Sequence, residues 1–307
     1  MTTLTTRRRF VQSLGTVAVA PALVRARGAE PARLPIGFST LGCPAWPWRT
    51  ILDVAAREGY AAIELRGLEG EMDLTKRPEF SSSLASTVAD LRARNLRIAC
   101  LGSSAELHHR EPVERAKQLD EARRFIELAS KLRAPYVRVF GDKYLPDEPK
   151  TALIDRVAAA LRELTGYAEG SGVTVIIESH GQVTDSATLK AILTAAGQGP
   201  ALLWDAHHTV VSSKEAPADT FRELGTWVRH THLKDSRPEG DDVRYVLTGT
   251  GTVPVRDIVR VLVAGGYKGY YSFEWEKKWH PDIDEPEIAI PHYAKVMREY
   301  LREAGVS

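Results

Sequence analysis

The chain has 307 residues and is 43% hydrophobic, enough to bury a large core without disulfide or metal staples. Its 41 basic residues stand against 40 acidic ones, so no overall field draws it to nucleic acid or to an anionic membrane, and no dense Lys/Arg run follows residue 30. Cys43 and Cys100 are too few for a disulfide framework or a zinc ribbon; they read as inert thiols whose pairing is open.

Residues 1–29 read as an export leader, with a basic start, a mild apolar stretch from Leu14 to Val24 and small residues at Ala26 and Ala29. The apolar part is too short and too weak to span a bilayer. Thr6-Arg7-Arg8-Arg9-Phe10-Val11 resembles the twin-arginine motif. The expectation is a mature domain over 30–307 with no membrane anchor, carried folded by the twin-arginine export machinery to the periplasm or the medium. That route suits a protein that takes up a metal before it leaves the cytoplasm.

Beyond the leader, short apolar runs alternate with longer amphipathic ones, uninterrupted by linker or low-complexity sequence. The expected strands are LPIGFST, YAAIELR, LRIACLG, PYVRVFG, VTVIIES, ALLWDAH, WVRHTHL and GYYSFEW. The expected helices are TILDVAAREG, SSLASTVADLRARN, PVERAKQLDEARRFIELASKLR, ALIDRVAAALRELTGYAEG, DSATLKAILTAAG, DTFRELGTWV, VPVRDIVRVLVAGG and PEIAIPHYAKVMREYLREAG. Their apolar residues recur at three and four, as in Leu119, Ala122, Phe125, Ile126 and Ala129. Eight strand-helix units predict an α/β fold of the (β/α)₈ TIM barrel type. A doubly wound open sheet competes, but GFSTLGCPAWPW after the first strand carries no Gly-rich phosphate turn.

A barrel of this kind places its chemistry at the C-terminal ends of its strands. Four successive ends here carry metal-binding groups: Glu178 and His180 on the fifth, Asp205, His207 and His208 on the sixth, His230, His232 and Asp235 on the seventh, and Glu274 and Glu276 on the eighth. Side chains of a strand alternate between faces, so Thr174, Ile176, Glu178 and His180 share one side, as do Ala201, Leu203, Asp205 and His207. Leu202 and Trp204 then face the helices. On the eighth strand Tyr271, Phe273 and Trp275 pack, while Ser272, Glu274 and Glu276 face inward. Glu178, Asp205, His232 and Glu274 can thus converge on one point. Three oxygen donors and an imidazole suit a single divalent ion such as Mn²⁺, Co²⁺, Mg²⁺ or Zn²⁺, and without a cation their proximity is costly.

The strings IIESHG, WDAHHT, HTHLKD and GYYSFEWE, with GYAAIELRG earlier, resemble the xylose isomerase-like TIM-barrel superfamily of sugar isomerases and epimerases, from about Leu34 to Tyr300. That superfamily includes ketose 3-epimerases, inosose-pathway enzymes and the endonuclease IV type of DNA repair enzyme. The resemblance implies that Glu178, Asp205, His232 and Glu274 are the metal ligands and that Glu178 and Glu274 are the catalytic pair, working from opposite faces of the sugar. It selects Glu274 over Glu276, which becomes a rim residue touching substrate or pairing with Lys277 or Lys278. It also implies a substrate-holding role for His208 and a homodimer. Arg237 lies five residues after the ligand histidine, where the family's substrate arginine lies six after. His180 joins these as a substrate-binding candidate.

The same site serves epimerisation, aldose–ketose isomerisation or elimination, depending on where the enediolate is reprotonated or what leaves it. Export and the lack of a phosphate cradle favour an unphosphorylated sugar, a keto-sugar or a glycoside derivative as the small-molecule carbohydrate substrate. A metal-dependent lyase or hydrolase on a 3-keto-glycoside is the runner-up. A DNA phosphodiesterase is disfavoured by near-neutral charge, and a sugar-binding protein without chemistry by the intact acid pair. Trp46, Trp48, Trp275 and Trp279 lie near the expected mouth, for stacking on a pyranose or for packing loops. Glu64 and Arg138 are substrate-binding candidates whose alternative is a buried ion pair between the second and fourth strands. His108 and His109, after the third strand, reach the mouth or sit in its loop.

Overall fold

Apolar alternation in the expected strands produces a sheet that closes on itself. The computed structural model describes residues 1–2 and 33–306, so the leader expected over 1–29 lies, beyond its first two residues, outside the described residues. The barrel strands are β1 (Ile36–Ser39), β2 (Ala62–Leu65), β3 (Arg97–Glu106), β4 (Tyr136–Phe140), β5 (Thr174–Glu178), β6 (Ala201–Asp205) and β7 (Val228–Leu233). After a two-stranded ribbon of β8 (Asp235–Glu239) and β9 (Asp242–Val246), the barrel is completed by β10 (Tyr271–Phe273). All the barrel pairings are parallel, in the closed order β1-β10-β7-β6-β5-β4-β3-β2. This is the TIM barrel and not the open sheet.

Helices α1 (Trp48–Arg57), α2 (Leu84–Ala93), α3 (Pro112–Leu132), α4 (Lys150–Ala168), α5 (Ser186–Ala196), α7 (Pro217–Leu224), α8 (Val255–Ala264) and α9 (Pro286–Glu303) surround it, with a short α6 (Ala206–Val211) directly after β6. No described helix is long and apolar enough to cross a membrane.

Along β6, up to Asp205, the face assignments hold. Ile176, Ala201, Leu203 and Cys100 form a small apolar layer inside the barrel, against Tyr136, while Leu202 and Trp204 belong to the large core between sheet and helices. Both cysteines are buried and free. Above the inner layer the interior turns polar, and Gly102 on β3 shows why that layer tolerates large cations. A Cβ at Gly102 would come within 2.6 Å of the Arg138 guanidinium and 2.9 Å of the Arg66 side chain, so the glycine makes room for two arginines inside the sheet.

Three local features depart from expectation. The sixth strand stops at Asp205, and His207 turns into α6 instead of facing inward from a strand. The β8–β9 ribbon was not expected, although its two-residue Gly240-Asp241 turn, with Gly240 at φ 63°, is a recognisable hairpin signal. The last strand is only three residues long, so Glu274-Trp275-Glu276 leaves the sheet as irregular chain. Trp275 is therefore not a mouth residue: its indole is fully buried, lies parallel to the Phe273 ring at 5.5 Å, and donates Nε1–H to the carbonyl of Asp284 at 2.9 Å. Replacing it with alanine is expected to lower the unfolding free energy by about 3–5 kcal/mol, measured by urea denaturation, with a correspondingly lower midpoint.

Candidate metal centre

The ends of β5, β6 and β7 and the residue just past β10 deliver Glu178, Asp205, His232 and Glu274 to one buried point, where one ligand atom from each lies within 4.8 Å of all the others. His232 Nδ1 is 3.2 Å from Glu178 Oε1, 3.2 Å from Glu274 Oε2 and 4.0 Å from Asp205 Oδ2. Asp205 divides its carboxylate between two tasks. Oδ1 accepts the backbone N–H groups of His207 and His208 at 2.9 and 3.2 Å, capping α6, which leaves Oδ2 for the cluster.

Behind His232 stands Glu64. Its carboxylate accepts from His232 Nε2 at 2.8–2.9 Å and from His230 Nε2 at 2.6 Å. A carboxylate that takes one ring N–H leaves the other nitrogen's lone pair pointing forward, the usual means of presenting a histidine to a metal. Burial would raise the Glu64 carboxyl, but the two imidazoles hold it well below the ordinary carboxylate range. Burial would likewise push the His232 imidazole down, yet Glu274, Glu64 and Glu178 raise it well above the histidine range.

The buried charge count completes the picture. Five carboxylates (Glu64, Glu178, Asp205, Glu274 and Glu276) share this interior with three fixed cations, Arg66, Arg138 and Lys234. Lys234 Nζ donates to Asp205 Oδ2 and to Glu276 Oε1, both at 2.7 Å, and also to Glu274. Arg138 Nε approaches Glu178 Oε2 to 3.1 Å, but the pair is too poorly aligned for a hydrogen bond, and both atoms lack other partners. With His232 neutral, as a metal ligand must be, the remaining excess of two negative charges equals the charge of one divalent ion. Burial, with Glu274 adding to it, raises the Asp205 carboxyl, and burial lifts Glu276 to about 7. In donor type, proximity and charge, the cluster fits a divalent cation.

The other expected site residues scatter. His208 lies beside the cluster, Nε2 3.4 Å from Asp205 Oδ2, with its ring edge-on to His180 at 5.3 Å. His180 packs on Phe140 and hydrogen-bonds Asp142 through Nδ1 at 2.9 Å; it is the most open of these rings, its side chain 37% exposed. Glu64 does not face substrate, nor does it pair with Arg138: it is fully buried behind His232, while Arg138 reaches Glu178 and lies over the Phe140 ring at 3.8 Å. Arg237 is exposed on the ribbon opposite Arg244, away from the cluster. Glu276 is not a rim residue but is buried on Lys234, and Lys277 pairs with Glu285. Trp46 and Trp48 are buried in loop packing, leaving Trp279 exposed.

Sequence reasoning passed over Lys234, although it sits in the same HTHLKD string. Alternation puts it on the face of His232, which was signal enough. His207, through Nε2 on Ser236 Oγ at 2.8 Å, ties α6 to the ribbon, and Asp235 accepts the N–H groups of Gly249, Gly251 and Val253.

The family profile described as Xylose isomerase-like TIM barrel matches residues 52–300. The chain belongs to that family. Among curated proteins it is similar to the fructoselysine 3-epimerase of Shigella flexneri, 27% identical over 194 residues, covering 61% of this chain and 67% of the relative. It is also similar to the inosose dehydratase of Serratia proteamaculans, 28% identical over 190 residues and covering 55% and 60% of the two chains. A shorter likeness, 43% identical over 93 residues, is to the C-glycoside deglycosidase alpha subunit of Arthrobacter globiformis, covering 29% of this chain and 23% of that one. About a third or more of each relative's length is thus unmatched. Among solved structures, an IolI protein with a bound zinc atom has a TM-score of 0.75 at 16% identity, covering 88% of this chain and 99% of that one, which bears on the fold.

Within this xylose isomerase-like barrel, a cation taken up by the cluster would meet a defined proton cost. In the metal-free protein the raised His232 holds a proton at neutral pH, and ligation through Nδ1 needs the neutral ring, so uptake releases a proton and affinity rises with pH. Calorimetric titration with Mn²⁺ or Zn²⁺ in buffers of different ionisation enthalpy measures this release. Glu64→Gln should weaken binding by about 10–100-fold.

Proposed function

We propose that the protein is a divalent-metal-dependent isomerase or epimerase acting on an unphosphorylated sugar or keto-sugar, with Glu178, Asp205, His232 and Glu274 holding the ion and Glu178 and Glu274 as the acid/base pair. The observation that carries this reading is His232 Nδ1, held by Glu64 so as to face three carboxylates of a buried set two negative charges in excess. A bound divalent ion supplies Lewis acidity to adjacent carbonyl and hydroxyl oxygens of a sugar.

The chain's own groups do the rest. Although burial opposes it, Arg138 and His232 lower the Glu178 carboxyl to about 2; His232 and Lys234 likewise hold Glu274 well below the ordinary range. Both therefore stand as carboxylates, and they arrive from separate elements on two sides of His232. One removes the proton from the carbon next to the carbonyl, leaving an enediolate. The other, once it has taken a proton from water, delivers it to the opposite face of the same carbon, giving the epimer, while the first releases its proton to solvent; delivery to the neighbouring carbon instead, with the hydroxyl proton passing to the former carbonyl oxygen, gives the isomer. His180 and His208, at the edge of the cluster, are placed to bind sugar hydroxyls. Likeness to a fructoselysine 3-epimerase supports the reaction class.

Elimination is the second reading, favoured by the likeness to a dehydratase and by the closer, shorter one to a deglycosidase subunit. There the same enediolate expels a β substituent, and a 3-keto-glycoside loses its aglycone. We further propose that the protein works outside the cytoplasm as a homodimer, on the strength of the Thr6–Val11 motif and the family resemblance.

Incubation of the Mn²⁺-loaded protein with free ketoses and 3-keto-glycosides in D₂O distinguishes the readings. Deuterium in recovered or epimerised sugar is the expected outcome, lost by roughly 100-fold or more in Glu178→Gln and Glu274→Gln. Aglycone release without label in the sugar would favour elimination. Absence of both on every sugar would contradict an enzymatic role.

A further inference from the structure

A second group of ligand-type side chains lies at the C-terminal end of β3 and shares no residue with the barrel centre. Glu106, His108 and His109 bring one ligand atom each to within 4.8 Å of one another. Glu106 Oε2 is 3.6 Å from His108 Nδ1 and 3.4 Å from His109 Nε2. Tetrahedral coordination with bonds of about 2.0–2.1 Å sets neighbouring ligand atoms roughly 3.3–3.5 Å apart, so these are separations an ion would impose and too long for direct hydrogen bonds.

His108 supplies an independent sign. The side chain is 5% exposed, and its Nδ1, the atom facing Glu106, has no hydrogen-bond partner. A buried polar nitrogen without a partner calls for an explanation.

The backbone here is held from both sides. The Glu106 N–H donates to Gln118 on α3 at 2.9 Å, and the Leu107 N–H donates to the Phe140 carbonyl on β4 at 2.8 Å. The three side chains thus project from a braced strand end. Glu106 and His109 are partly exposed, which gives an ion a path in from solvent.

We propose that Glu106, His108 and His109 form a second cation site, for a borderline divalent ion of the Zn²⁺, Co²⁺ or Ni²⁺ class, with the fourth tetrahedral position open to water or an anionic group. Two imidazoles and one carboxylate select these ions over Mg²⁺ or Ca²⁺, which prefer all-oxygen shells. The barrel centre, with three carboxylates to one imidazole, is the harder of the two.

The test is equilibrium dialysis of the protein against buffered Zn²⁺, followed by elemental analysis. The expected result is one ion more per chain in wild type than in Glu106→Gln/His109→Gln, with one ion retained in Asp205→Asn/Glu274→Gln. Co²⁺ bound to that second variant should show visible absorption of tetrahedral type. Should the first double variant fail to fold, His109→Gln alone, on a partly exposed side chain, should lose the additional ion at Zn²⁺ concentrations that saturate wild type. Equal ion content in wild type and the His109 variants overturns the proposal, as does an Asp205/Glu274 variant that holds no ion.

Discussion

Everything at the barrel mouth depends on one hydrogen bond, from His232 Nε2 to Glu64. That contact, 2.8–2.9 Å long and wholly buried, decides which way the imidazole turns. With Nε2 committed, Nδ1 looks into a group of carboxylates that would otherwise repel one another. Taking so many charges out of water costs several kcal/mol each unless they are compensated. The interior offsets three of the five carboxylates: Arg138 and Arg66 lie by Glu178, Lys234 bridges Asp205, Glu274 and Glu276, and with His232 neutral the excess left over equals the charge of one divalent ion.

The fold's part is to make that concentration of charge rigid. Parallel pairing sets Asp205 opposite His232 across β6 and β7, and Ser272 opposite His232 across β7 and β10, so the next residue on that face, Glu274, arrives just beyond the sheet. An apolar layer of Ile176, Ala201, Leu203 and Cys100 closes the barrel below, and Gly102 leaves the space in which Arg66 and Arg138 lie. Asp205 shows how closely fold and site are joined, since one carboxylate both starts α6 and faces the cluster. A residue with two such duties answers differently to different substitutions: asparagine keeps the cap and removes the charge, whereas alanine removes both.

Much of this was legible in the chain. Strand alternation alone separated Leu202 and Trp204 from Ala201 and Leu203, and it brought Glu178, Asp205, His232 and Glu274 to one face at successive strand ends. It failed where the backbone leaves the strand. FEWE continues past β10 as irregular chain, so the inward position of Glu276 became burial on Lys234 instead of exposure at a rim, and Trp275 became a core residue. The second layer was obscure for a different reason: which cation serves which carboxylate depends on how side chains cross the barrel interior. Glu64 on β2 reaches two histidines on β7, a pairing that strand periodicity does not contain. Lys234 was overlooked because lysine at a strand end ordinarily reads as solvated.

Relatives of this chain include epimerases and dehydratases, and its centre gathers three carboxylates and an imidazole that fit a divalent cation. His180 and His208 lie at the edge of that cluster. The central claim is that Glu178, Asp205, His232 and Glu274 hold a divalent ion. Anomalous diffraction from crystals of the Mn²⁺-loaded protein, at the manganese edge, tests it most directly. The account predicts a peak bonded to His232 Nδ1 and to oxygens of the three carboxylates, with Lys234 still on Glu276. A barrel centre without a peak under saturating Mn²⁺, with Lys234 still bridging Asp205 and Glu274, would contradict it.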